Sequence, residues 1–212
     1  MAHRALLLVD LQNDFCAGGA LAVPEGDSTV EVANALIDWS PARGEPIVAS
    51  RTGIRRITAV SPASTGGTLH RGRAGRPGAN FLAGSLRAAQ RRRGAASAAQ
   101  AAGDRRCVSQ RQNRLIDSYS AFFDNGHRQK TELDGWLRGQ GIVELTVLGL
   151  ATDYCVKFTV LDAPALGYAV NVITDGCRGV NLQPQDSSRA FMEMAAAGAT
   201  LYTLDDWRET QA

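Results

Sequence analysis

Residues 5–9, "ALLLV", form an uninterrupted apolar run that stops at Asp10. A run this short, apolar at every position, reads as a strand buried on both faces, the kind a parallel sheet contains. Ser28, Thr29, Val30 and Glu31 match a capping box and predict an amphipathic helix to Trp39, with Val32, Leu36 and Trp39 on one face. Gly44 ends that unit, and residues 46–50 read as the next strand. The order β-α-β returns later in the chain. A helix is expected over 131–140, with Leu133, Trp136 and Leu137 inward, then a strand over 143–150 and a helix over 154–166 closed by Gly167. A strand over 169–174, a helix over 187–197 closed by Gly198 and a strand over 200–203 complete the pattern. Such alternation predicts an α/β fold, a doubly wound parallel sheet with helices on both faces. At 212 residues the chain suits a single domain, expected over 1–212.

The pattern breaks at Arg51. Positions 51–114 hold 14 Arg, no Lys and one acid, Asp104, for a charge of +13. The remainder carries −11, so the formal net charge of +2 averages two unlike pieces. Residues 82–102 have the propensity for a helix but no continuous apolar face to anchor one, so segment 51–111 is expected to be irregular and to stand outside the sheet. Arg91, Arg92 and Arg93 and the run "HRGRAGRPG" could meet phosphates, but no aromatic residue is interleaved within either run for base stacking. A solvated basic loop is the expected state, and a nucleic-acid partner is not expected. A non-enzymatic nucleic-acid-binding protein is the alternative class.

Cys16, Cys107, Cys155 and Cys177 show no metal-ligand spacing. Without a secretory signal they read as reduced thiols, and the expected compartment is the cytoplasm. No apolar run approaches the ~20 residues needed to cross a bilayer, so no membrane partner is expected. Cys16 gives no independent sign of reactivity, and His127 and Cys177 read as structural.

In an open parallel sheet, ligands bind beyond the carboxyl ends of the strands. Asp10 ends the first strand, and Cys155 follows the strand "VLGL" where the next helix begins. The positive end of a helix dipole is expected to lower the Cys155 pKa and favour the thiolate, while free backbone N–H groups there can hold an oxyanion. Cys155 and Asp10 are therefore candidates for a nucleophile and its base, weighed against a small buried thiol and a strand-end turn cap.

The stretches "RALLLVDLQNDFCAGGALAVPEG" and "GLATDYCVKFTVLDA" resemble the nicotinamidases of the isochorismatase-like cysteine hydrolase family. "DSYSAFFDNG" and "VITDGCRGVN" strengthen the resemblance, which covers about residues 1–50 and 112–212. It implies hydrolysis of nicotinamide to nicotinate and ammonia in pyridine nucleotide salvage toward NAD. It also implies that Cys155 is the nucleophile and Asp10 the proton acceptor, and that Phe15 lines the ring pocket. The Leu150–Ala151 bond would be cis, letting the Ala151 and Cys155 amides form the oxyanion hole. Intact relatives use a divalent metal (Zn, Fe or Mn) to hold the pyridine nitrogen, and a metal-activated water helps release nicotinate. Another hydrolase of the same family is a second alternative, and a homo-oligomer is left open.

The departures are as specific as the matches. The family carries Asp-Trp-His-Pro-x-x-His after the second strand, then Trp-Pro-x-His-Cys, then a Lys-Gly pair before "DSYSAFF". None is present, and the segment holds one His, His70, and no Lys. No metal ligand is therefore assigned in this chain, and severe loss of activity is expected. The missing motifs reappear in other reading frames. CAG GAC TGG CAT CCG encodes Gln-Asp-Trp-His-Pro; without its first base it reads Arg-Thr-Gly-Ile-Arg, the residues at 51–55. Comparable shifts of Trp-Pro-x-His-Cys and Lys-Gly codons yield the residues at 82–88 and 108–111. About three single-base losses would make 51–111 an out-of-frame translation, with the proper frame resuming near Gln112.

Overall fold

The computed structural model describes residues 3–52, the backbone of 105–109, and residues 118–211. Six parallel strands form one sheet in the order β3-β2-β1-β4-β5-β6: β1 Arg4–Val9, β2 Ile47–Arg51, β3 Arg105–Ser109, β4 Glu144–Leu150, β5 Ala169–Arg178 and β6 Thr200–Tyr202. The central strands β1 and β4 pair in unbroken register from Arg4 opposite Glu144 to Val9 opposite Gly149. Residues Ala5 to Val9 are all buried, as a strand covered on both faces requires. Each fully buried leucine here contributes about 1.5–3 kcal/mol of transfer free energy.

Five helices surround the sheet among the described residues: α1 Thr29–Trp39, α2 Leu133–Gly139, α3 Lys157–Ala165, α4 Asp186–Ala196 and α5 Leu204–Glu209. The crossover from β1 to β2 runs one way along the sheet and that from β4 to β5 runs the other. Right-handed crossovers in opposite directions place α1 and α3 on opposite faces. Trp39 of α1 meets Trp207 of α5 edge-on at 4.6 Å, and the Arg4 guanidinium lies 4.9 Å from the Trp207 ring centre. Arg4 also pairs with Glu45 at 2.5 Å, joining the start of β1 to the loop before β2.

The doubly wound sheet agrees with the sequence reading, with four corrections. Ser28 does not cap α1 through its side chain: its backbone is already helical, and its hydroxyl donates to the Glu25 carbonyl at 2.8 Å. A short 3₁₀ turn, Gly26–Ser28, runs straight into the helix and replaces the capping box. Segment 51–111 does not stand wholly outside the sheet, because β3 lies within it and pairs along β2 from Ile47 opposite Arg105 to Arg51 opposite Ser109. The exposed edge of a parallel strand accepts any backbone, whatever its side chains. The other readings made of that segment, at His70, 82–102 and Arg91 to Arg93, lie outside the described residues. The helix expected from 154 begins instead as a π-helical turn, Thr152–Val156, before α3. Strand β5 runs on past Thr174 to Arg178, beside Gly149 and Leu150.

Candidate active site

The carboxyl ends of β1, β2 and β4 converge on three side chains. Asp10 follows β1 with φ 49° and is fully buried. Ser50 on β2 donates to Asp10 Oδ1 at 3.1 Å, and Thr52 Oγ1 donates to Oδ2 at 2.5 Å. The same Thr52 oxygen lies 3.9 Å from Cys155 Sγ. Cys155 sits in the π-helical turn after β4 and is 5% exposed. The fold thus brings together two residues separated by most of the chain, as the sequence predicted for Asp10 and Cys155.

The electrostatics differ from the sequence expectation. The Cys155 thiol is pushed well above its ordinary pKa, first by burial and then by the negative charge of Asp10, with hydrogen bonds from Thr52 and the Ala151 backbone acting the other way. Removal from water outweighs the helix-terminus effect that was expected to lower it. The Asp10 carboxyl is raised as well, mainly by burial and against hydrogen bonding from Thr52, Cys155 and Ser50. Two such groups in contact titrate as a pair, and the pair retains a proton at neutral pH.

Leu150–Ala151 is a cis peptide bond, as the resemblance implied, and the Ala151 backbone hydrogen-bonds the Cys155 sulfur. Phe15 closes the 3₁₀ turn Asn13–Phe15, in the loop that leaves Asp10, and is buried against the core. Its carbonyl accepts from Val23 N at 2.9 Å, which fixes the loop.

Sequence reasoning missed the residues that hold these groups in place. Gln12 accepts from Thr52 N at 3.0 Å and donates to Thr52 O at 3.4 Å, clasping the end of β2 from the Asp10 loop. The Asp153 carboxylate accepts from Val180 N at 2.9 Å and Asn181 N at 2.8 Å, tying the Cys155 turn to the loop after β5. Its neighbour Asn181 accepts from Ser187 N at 2.9 Å in the first turn of α4. Polar residues just past apolar strands were the available signal, but only pairing across the sheet shows which ones meet. Asp153→Ala leaves two backbone N–H groups unpaired and is expected to cost about 2–3 kcal/mol in urea unfolding. Cys16 and Cys177 are buried, and burial raises their thiols to about 11 and about 12. His127 pairs with Asp162 at 3.3 Å and stacks on Phe123, in keeping with a structural role.

A family model for the isochorismatase domain matches residues 4–206. The chain belongs to the isochorismatase family. It is 58% identical to the nicotinamidase of Escherichia coli K12, over all of both chains. It is 31% identical to the nicotinamidase/pyrazinamidase of Mycobacterium tuberculosis, covering 93% of this chain and 97% of that one. Among solved structures it resembles the pyrazinamidase of Pyrococcus horikoshii in complex with zinc, with a TM-score of 0.66 and 28% identity over 95% of this chain and 99% of that one.

A metal in such a relative invites a test of the residues here. Among the described residues no three His, Cys, Asp or Glu side chains group closely enough to hold an ion. Directly after β2, where the family motif begins, this chain has Arg51 and Thr52, and the Thr52 hydroxyl is engaged with Asp10. The described residues do not fit a metal centre beside Asp10 and Cys155.

Proposed function

We propose that the chain is an amide hydrolase of the nicotinamidase type, with Cys155 as nucleophile and Asp10 as proton acceptor, and with strongly reduced turnover as encoded. The observation that carries this reading is the meeting of a buried carboxyl and a buried thiol around one hydroxyl, at the ends of the two central strands. Asp10 takes the Cys155 proton, and the thiolate adds to the carboxamide carbon. The amides of Ala151 and Cys155 face the oxygen that becomes anionic. Asp10 returns the proton to nitrogen, ammonia leaves, and a thioester remains on Cys155. Water, deprotonated by Asp10, adds to the thioester; its collapse gives nicotinate and restores the thiol.

Phe15 lines the ring side of this site in the proposed complex. The substrate is a small pyridine amide, and the cytoplasm is the compartment that suits three buried free thiols. Among the described residues no helix is long and apolar enough to cross a membrane. The domain is one hydrolase unit interrupted at 51–111, and the interruption is read as out-of-frame translation. Sequencing codons 46–116 of the gene tests that point: three additional bases would restore the Asp-Trp-His, Trp-Pro-x-His-Cys and Lys-Gly motifs, and an unchanged sequence refutes it.

The functional test is ammonia release from a panel of amides. Nicotinamide and close pyridine amides are expected to react, and aliphatic amides are not. Cys155→Ala should reduce the rate to that of buffer and remove any acyl adduct seen by intact-protein mass spectrometry. Ammonia release that survives Cys155→Ala overturns the assignment.

A further inference from the structure

The proposed chemistry requires a proton to pass between two buried groups, and the structure puts a third residue beside both. Thr52 Oγ1 lies 2.5 Å from Asp10 Oδ2 and 3.9 Å from Cys155 Sγ. We propose that Thr52 is a positioning residue for the Asp10–Cys155 pair, its hydroxyl holding the carboxyl toward the sulfur while Gln12 fixes the Thr52 backbone. The inference rests on the functional reading above, in which these two groups exchange a proton.

The placement is built from several directions. Ser50 donates to Oδ1 at 3.1 Å and Thr52 donates to Oδ2, so both carboxylate oxygens are held and the plane of the group is set. Gln12, 6% exposed, uses both ends of its amide on the backbone N–H and carbonyl of Thr52. This two-point clasp fixes the residue that follows β2 relative to the loop that follows β1. A hydroxyl has one rotatable proton, which it can give to the carboxylate or to the sulfur. The Thr52 hydroxyl therefore favours the anionic form of Asp10 and, turned to the sulfur, that of Cys155. Among the described residues the groups acting on the pair include Ser50, Thr52 and the Thr52 and Ala151 backbone, and Asp10 and Cys155 act on each other.

The predicted consequence is specific. A hydrogen bond to an ionised group favours ionisation, so losing the hydroxyl makes the pair harder to deprotonate. The pH at which Cys155 becomes a thiolate therefore rises, since the Thr52 hydroxyl favours the anion of the thiol as well as that of Asp10. A methyl in place of the hydroxyl keeps the shape of the side chain, and a serine keeps the donor.

The experiment is the pH dependence of Cys155 alkylation by iodoacetamide, followed on the Cys155 peptide by mass spectrometry so that the other thiols do not contribute. Thr52→Val is expected to move the midpoint of the profile upward by about one pH unit. Thr52→Ser is expected to restore the wild-type profile. Thr52→Ala serves in place of Thr52→Val if urea unfolding shows the valine variant to be misfolded, with the same shift expected. A valine or alanine profile that superimposes on wild type overturns the proposal, as does a serine profile displaced as far as the valine one. The readout needs no turnover, so the two readings fail separately. A shifted profile with no ammonia released from any pyridine amide refutes the functional reading and supports the role of Thr52. Ammonia release with unshifted profiles does the reverse.

Discussion

Gly149→Ala is expected to destroy the centre of the sheet. Gly149 sits in β4 directly opposite Val9, with φ of 137°, a region that L side chains avoid. A Cβ there would lie 2.0 Å from the Val9 carbonyl oxygen and 2.8 Å from the Val9 backbone nitrogen and carbon. These are main-chain atoms of the neighbouring central strand, so no rotamer change relieves the overlap. Backing β4 away from β1 would break pairing that runs from Arg4 to Val9 and shift the site at the ends of both strands. The glycine is also where β4 changes register against β5, between Val147 and Gly149, a bend that brings the chain round to the Cys155 turn. A loss above about 4 kcal/mol is expected, a large share of the whole stability of an ordinary domain. Urea unfolding of Gly149→Ala beside Gly135→Ala makes the comparison. Gly135 lies in α2 with open space around the position of a Cβ, and its replacement is expected to gain about 0.5–1 kcal/mol. Equal midpoints for the two variants would contradict this account.

The second large effect is catalytic. Assayed beside the E. coli nicotinamidase, the chain is expected to hydrolyse nicotinamide with a kcat/KM lower by about 10³-fold or more. Positions 53–104 supply one histidine and one acid, where the family motifs would supply Asp and several His. The described residues contain no cluster able to hold an ion. The family lysine before "DSYSAFF" has no counterpart either. Residues that act as a unit lose most of their effect when some members are removed, so an intact Asp10–Cys155 pair does not rescue the rate. Zinc content of the purified protein, by elemental analysis, should fall well below one ion per chain. Added chelator or added zinc should leave the residual rate unchanged. Stoichiometric zinc together with a rate near that of the relative would refute both parts.

The sequence disclosed the frame of the molecule because a parallel sheet leaves a strong local record. "ALLLV" and "VELTVLGL" needed no partner in view to be read as buried strands, and Gly167 and Gly198 marked helix ends. The miss at Ser28 came from a motif whose residues were correct but whose backbone had already turned helical. Helix α5 was not anticipated, although Thr203 accepts from Asp206 N at 3.2 Å and caps it in the ordinary way. Six residues give too short a pattern to register against a preceding strand. In the candidate site, the meeting of Asp10 and Cys155 was legible from their places at strand ends. Thr52, Gln12 and Asp153 were not, because each acts through a contact with a distant segment. The direction of the Cys155 shift was also hidden, since burial is a property of the assembled sheet and the helix dipole can be read from local order alone.

The strand order carries a consequence for how the chain acquires its structure. β1 is the first strand made, yet its partner β4 lies beyond the whole of the basic segment. Until β4 emerges, one edge of this apolar strand has nothing to bond to. Pairing across such a sequence separation is slow, because the intervening chain must be closed into a loop before any contact repays the lost freedom. A segment rich in arginine and free of acids, apart from Asp104, spans that interval. The unpaired edge of β1 is thus exposed to wrong partners for as long as β4 is missing, a hazard that the stability of the finished sheet does not remove.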